Sequence, residues 1–250
     1  MKNCILYYES PQDVPAPYHF ESKIEIDFEG NQKASIDVNV QYIDREDFSK
    51  EDLMAEGLQV ENQWAWKGEL PTIWVSILQE RLNNYIAGEA SPKSHEPFIC
   101  FETEKGQTFK PKQKLEKEDV FLQEFMQAIL ELAEKEFPLY LGFQFNHLDK
   151  GWILIEGEMS FATRKFNFIE NGKEEQVKEV DFDAIQALMN DLFIGEFIAD
   201  KAQESLKNKE TFAVFPGDGL WYTAGNSWKK PNGNYQYFVN LEDTLNELFS

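Results

Sequence analysis

The chain has 250 residues and carries 45 Asp and Glu against 24 Lys and Arg, for a formal net charge of −21 and a pI of about 4.5. That balance excludes neither an enzyme nor a binding protein. It does argue against nucleic-acid or anionic-membrane partners, which need a positive surface, and it permits a basic protein partner. Hydrophobic residues at 42% and aromatics at 14% are globular values, and the length suffices for one large domain or two small ones.

The first ten residues, MKNCILYYES, hold one lysine and too short an apolar run for the core of a secretory leader. The longest uncharged run, 137–148, falls short of a bilayer span and is broken by Pro, Gly, Gln, Asn and His. A cytoplasmic protein is therefore expected, with no membrane contact. Cys4 and Cys100 are far apart in apolar contexts. They are expected to be buried free thiols of a reducing compartment rather than a disulfide.

The first clear element is a hairpin, Tyr18–Glu29 and Lys33–Asp44. Phe20, Ile24, Ile26 and Phe28 alternate with charged residues, as do Ala34, Ile36, Val38, Val40 and Tyr42 with polar ones. Period two means one buried and one wet face. Gly30-Asn31 marks the turn. A three-residue loop would set Glu25 against Asp37, so a longer loop, with Lys23 against Asp37 and Asp27 against Lys33, is the expected register. DFSKEDLMAEG reads as a short helix capped by Ser49 or Asp47 and stopped by Gly57. QWAWKGEL reads as a strand with Trp64 and Trp66 on one face. PTIWVSILQERLNNYIAG predicts a helix from Pro71 to Gly88, with Trp74, Leu78, Leu82 and Tyr85 as its stripe.

Glu89–Glu118 is the expected boundary between two α+β halves, 1–110 and 118–250, which could also form one continuous domain. It contains a hairpin, FICFETEKGQTFK, and the chain's only sustained basic run, Lys105 to Lys117. A helix over Asp119–Glu136 is predicted to bury Phe121, Phe125, Ile129 and Leu132. The hairpin Leu139–Asn146 with Trp152–Phe161 follows. A loop at Asp149-Lys150-Gly151 would set Phe145 opposite Ile155, Leu141 opposite Met159 and Phe143 over Gly157. Asn171-Gly172 signals a type I′ turn into a charged edge strand. Asp183 with Gln186 reads as the capping box of a helix to about Leu206, with a possible break at Gly195.

Near the C-terminus, FPGDGLWYTAGNSWKKPNGNYQYF reads as a four-stranded meander. Its turns are Gly217-Asp218, Gly225-Asn226 and Asn232-Gly233, with a short helix from Asn240 after it. Two-residue turns would set Val214 against Trp221 and Trp228 against Tyr237. One face would then carry Trp221, Trp228, Lys230, Tyr235 and Tyr237, the candidate ligand-binding residues if that face is wet, and a packed core face if it is dry. The fold class is α+β, with mostly antiparallel hairpin and meander sheets and interspersed helices.

The motifs for metal, phosphate and nucleophilic chemistry are missing. His19, His95 and His147 are isolated, no paired Cys or His motif occurs, and the glycine-rich phosphate loops and G-x-S-x-G are absent. Neither metal nor other cofactor is expected. Cys100 and His95, five apart on a strand, would face opposite ways. One carboxylate pair stands out: Glu156 and Glu158 share a strand face and could serve as acid and nucleophile in glycoside hydrolysis, or simply line a wet face. The reading with most support is a non-catalytic protein that works by protein–protein interaction, in the manner of an immunity protein or inhibitor of a basic protein. A carbohydrate or small-ligand module on the C-terminal aromatics is the second reading, and a hydrolase on Glu156 and Glu158 the third. The sequence leaves the oligomeric state open.

Overall fold

The structure, a computed structural model, describes residues 3–56, 58, 60–91, 95–112, 114–173 and 176–250. It is an α+β protein whose sheets are antiparallel, and it divides into two compact units, 1–135 and 136–250. No helix among the described residues is long and apolar enough to cross a membrane.

The first unit contains β1 (Asn3–Glu9), β2 (Phe20–Phe28), β3 (Ala34–Tyr42), α1 (Lys50–Ala55), β4 (Gln63–Leu70), α2 (Thr72–Leu82), β5 (Tyr85–Ala87), β6 (Phe98–Thr103), β7 (Thr108–Pro111) and α3 (Leu115–Leu132). Its sheet runs β4-β3-β2-β1-β6-β7-β5. The predicted first hairpin forms as β2 and β3, but with the register that the like charges argued against: Glu25 lies opposite Asp37. Two lysines remove the repulsion, since Lys23 Nζ lies 2.6 Å from Glu25 and Lys67 Nζ 2.6 Å from Asp37. The second cation comes from β4, beyond the reach of a two-strand argument. Ser49 caps α1 by accepting from the Asp52 amide, while the Gly57 expected to stop it lies outside the described residues.

Helix α2 ends at Leu82, before the predicted Gly88, because Tyr85–Ala87 leaves as a strand to pair with β7. Tyr85 is buried nonetheless. The Glu89–Glu118 segment supplies β6, which pairs with β1 inside the sheet. Helix α3, expected to open the second half, packs in the first unit. The Tyr8 hydroxyl donates to Asp119 at 2.7 Å, and Trp74 of α2 packs on Phe121 and Phe125 with centroids 6.0 and 5.1 Å away. Both long helices thus cover the face carrying Cys4, Leu6 and Tyr8. Cys4 and Cys100 are buried free thiols. Cys4 shares the helix-covered face, whereas Cys100 sits opposite Tyr7 on the other. Burial pushes the Cys4 thiol up to about 12.

The second unit contains β8 (Leu139–His147), β9 (Gly151–Ser160), β10 (Lys165–Glu170), β11 (Lys178–Asp181), α4 (Phe182–Leu192), β12 (Glu196–Phe197), β13 (Ala213–Phe215), β14 (Tyr222–Thr223), β15 (Trp228–Lys229) and α5 (Tyr237–Leu248). A sheet ordered β11-β10-β9-β8-β13-β14 lies beside the pair β12-β15. Leu141, Phe143, Phe145, Ile155 and Phe166 face α4 and α5 in one apolar core. Phe249 closes it, with its ring centroid 4.9–6.3 Å from those of Phe143, Phe145, Phe166 and Phe168.

Several expected registers shift. The β8–β9 pairing sets Leu141, not Phe143, opposite Gly157, and Phe143 opposite Ile155. The loop is Leu148-Asp149-Lys150, one residue earlier than expected, held where the Asn246 side chain accepts from the Leu148 amide and His147 Nδ1 accepts from the Asp149 amide. A two-residue shift keeps every side chain on its expected face. Gly157 answers to another strand. A Cβ there would collide with the backbone of Asn167 and Phe168 in β10, so no side chain fits. Asn171 and Gly172 have the positive φ values, 53° and 70°, of a type I′ turn. Asp181, rather than Asp183, caps α4 by accepting from the Asp183 and Ala184 amides, and the helix stops at Leu192. Asp183 pairs instead with Arg164.

The C-terminal meander does not form. Its turns are present, with Gly217, Gly225 and Gly233 all at positive φ, but the strands between them scatter. Val214 faces Tyr222 rather than Trp221, β15 pairs with β12, and Tyr237 opens α5. Tyr222 donates to Asp218 at 2.5 Å, and burial together with that carboxylate raises its phenol to about 12. Its unfolded value is 10.0. The native state thus holds this proton more tightly, so the associated stability is complete below pH 10 and is lost as pH rises from about 10 to 12. Replacing Tyr222 with Phe should flatten the fall of urea-unfolding stability across that window. An unchanged slope would assign alkaline unfolding to other groups.

Candidate functional site

The face of the first unit's sheet opposite α2 and α3 is the structure's most distinctive surface. Strand registers decide its membership. Across β6, β1, β2, β3 and β4, one row reads Phe98, Glu9, Glu21, Gln41, Gln63. The next reads Cys100, Tyr7, Lys23, Asn39, Ala65, and the third Glu102, Ile5, Glu25, Asp37, Lys67. A last row adds Asn3, Asp27, Ser35 and Glu69. Across these five strands seven carboxylates thus share the face with two lysines, and beyond Glu102 the strand β7 adds the exposed Lys110.

Both lysines already have carboxylate partners at 2.6 Å, and Lys33 reaches Glu69 at 2.9 Å from the adjoining turn. The face is left with a net negative field around the half-buried apolar side chains Ile5, Tyr7 and Phe98. Burial, then the Glu102 carboxylate, raises the Tyr7 phenol. Two shallow hollows of about 590 and 640 Å³ lie along it, the first around Tyr7, Glu21 and Phe98, the second around Ile5, Glu25 and Asp37. Open hollows side by side on a sheet suit a protein surface better than an enclosed small molecule.

Sequence alone reveals half of this face, the alternating charges of β2 and β3. It does not reveal β1, whose NCILYYE is apolar without alternation. A strand flanked on both sides, with its outward positions half-buried, has no reason to alternate cleanly.

The residues singled out from sequence fall elsewhere. Glu156 and Glu158 do share a face of β9, and the Tyr140 hydroxyl donates to Glu156 at 3.2 Å. Burial, then the Glu156 carboxylate, raises that phenol. Gln144, which the register setting Phe145 opposite Ile155 would have placed against Glu156, lies opposite Leu154 and is buried, donating to the Asn208 and Thr211 carbonyls at 2.9 and 2.7 Å. Gly142 takes its place, roofed by Trp221.

The five C-terminal candidates do not share a face. Trp228 is 0% exposed among Phe197, Phe212, Tyr237 and Phe238, and Tyr237 is buried beside it. Trp221 is also buried, but against the opposite side of the sheet, over Gly142 and beside Phe215. Tyr235 is 81% exposed, with Lys230 Nζ 4.7 Å above its ring. His95 hydrogen-bonds Asp13 at 3.0 Å.

The fold and this face define an α+β protein with three antiparallel sheets among the described residues, the largest of which presents an acidic open side. No protein-family model, curated protein or solved structure matches the chain.

Proposed function

We propose that the protein acts by binding a basic protein partner on the open sheet face of its first unit, in the manner of an inhibitor or immunity protein. A cytoplasmic setting belongs to the same reading. The observation that supports it is the juxtaposition, across β6, β1, β2, β3 and β4, of seven carboxylates and two already-paired lysines with the apolar side chains Ile5, Tyr7 and Phe98 on a face that neither long helix covers. Carboxylates speed and orient the approach of a cationic surface, and the apolar centre holds what they attract.

Poly-L-lysine labelled for fluorescence anisotropy is the probe. The Glu21→Lys/Glu25→Lys/Glu102→Lys variant should bind it about ten- to a hundredfold more weakly, from three reversed contacts each worth about 0.5–1 kcal/mol. The control, Glu158→Lys/Glu204→Lys/Glu247→Lys, changes net charge equally in the second unit and should bind like the wild type. Binding should weaken as salt rises. Equal losses in the two variants would show that net charge alone attracts cations and would remove the face from the proposal.

A further inference from the structure

The outer strand of the same sheet, β4, presents a second surface of different character. The Tyr42 amide donates to the Asn62 carbonyl at 2.8 Å, which makes residues 42 and 62 a hydrogen-bonded pair of the antiparallel ladder. Such pairs alternate. Trp64, Trp66, Gly68 and Leu70 therefore bond to β3, while Gln63, Ala65, Lys67 and Glu69 turn their N–H and C=O groups away from the sheet. All four of these are exposed.

Sheet edges are commonly shielded by charge, proline, bulges or brevity. The other edges use such devices: β11 is the charged Lys178-Glu179-Val180-Asp181, β5 has three residues and β14 two. By contrast, β4 runs eight residues in unbroken register without an internal proline. It is also locally neutral, with Lys67 balancing Glu69, in a chain whose net charge is −21. On its other side lie two half-buried tryptophans, Trp64 and Trp66, with the Trp66 ring folded over Gly68.

We propose that β4 pairs antiparallel with β4 of a second copy, about a two-fold axis through Trp66, joining two first-unit sheets into one. Gln63 then lies opposite Glu69 of the second copy and Ala65 opposite Lys67, so all four outward residues of each strand exchange hydrogen bonds. No like charges stand directly opposite, and each Lys67 keeps its Asp37 counter-ion. On the other side Trp66 meets its symmetry mate, and Trp64 meets Gly68. Sliding one strand two residues farther would bring Pro71, which has no N–H, opposite Gln63 and set Lys67 against its own symmetry mate. A second copy is the favoured occupant because the edge is neutral and self-complementary. A cationic partner gains more on the acidic face, and the dimer stands whether or not that partner exists.

Sedimentation velocity on the full chain tests this. Raising the protein concentration should shift the 29.2 kDa monomer to twice that mass, and salt that strips poly-L-lysine should leave the dimer intact. Ala65→Pro removes an outward N–H without touching β3, and should give a folded monomer. Ala65→Lys sets two like-charged pairs opposite each other and should weaken the dimer roughly threefold or more. Adding Lys67→Ala to that variant should restore it, a rescue specific to this register. A wild type that stays monomeric into the millimolar range, or a dimer indifferent to Ala65→Lys, would overturn the proposal.

Discussion

Truncating Trp228 to Ala should destabilise the second unit by about 3–5 kcal/mol, the range for removing a large aromatic side chain from a well-packed core. Trp228 is 0% exposed, and its ring centroid lies 5.7, 5.3, 5.8 and 5.0 Å from those of Phe197, Phe212, Tyr237 and Phe238. These partners come from β12, the segment before β13, and α5, so one ring ties together three pieces that little regular pairing connects. The β12–β15 ladder is only two residue pairs long. In small domains a loss of that size is a large fraction of total stability. Urea unfolding followed by circular dichroism should show the transition midpoint falling steeply. A loss below about 1 kcal/mol would mean that the aromatic cluster is not what holds the C-terminal segment in place.

The second large effect is expected in the first unit, at Arg81. Glu118 of α3 is 1% exposed, yet it carries a carboxylate. Arg81 of α2 donates to it at 3.0 Å, and the Tyr85 hydroxyl approaches its other oxygen at 3.5 Å. The guanidinium also lies 4.5 Å over the Phe121 ring, so the same side chain packs as well as pairs. Arg81→Ala strips a buried carboxylate of its cation. A loss of about 3 kcal/mol is expected, the lower end for such pairs because the Arg81 side chain is 31% exposed. The Arg81→Ala/Glu118→Gln double variant should recover much of this, since the unpaired charge has gone. Additive losses in the double variant would show that packing of the two side chains, and not the charge, accounts for the effect.

Local pattern carried a good part of the fold. Alternation in FESKIEIDF and ASIDVNVQY predicted two strands and the correct face for each residue, because a period of two belongs to the strand itself. The same holds for β8 and β9, where the register moved by two residues without changing any face. The stripe of α3 was largely readable, with Phe121, Phe125 and Ile129 buried and Leu132 half-buried. Expectations failed wherever a distant partner decided. Glu25 tolerates Asp37 because Lys67 arrives on β4. Tyr85 leaves the helix because β7 offers it a ladder. The evenly spaced C-terminal glycines suggested a meander, but Trp228 and Lys229 pair back to β12 and Tyr237 begins α5 instead.

The candidate face followed the same rule. Its charges were visible along β2 and β3, but its apolar centre was not, since Ile5 and Tyr7 belong to a strand without alternation and Phe98 to one 89 residues farther along than Glu9. The sequence by itself determined the α+β class, the antiparallel hairpins, the acidic excess and which side chains of the alternating strands point together. These depend on neighbours a few residues apart. Only the tertiary structure decided which strands lie side by side, which wet residues gather into one acidic face, and which edge is left long, neutral and unpaired. Those depend on pairings between distant segments, whose free energies are settled by the complete set of neighbours rather than by any one stretch of chain.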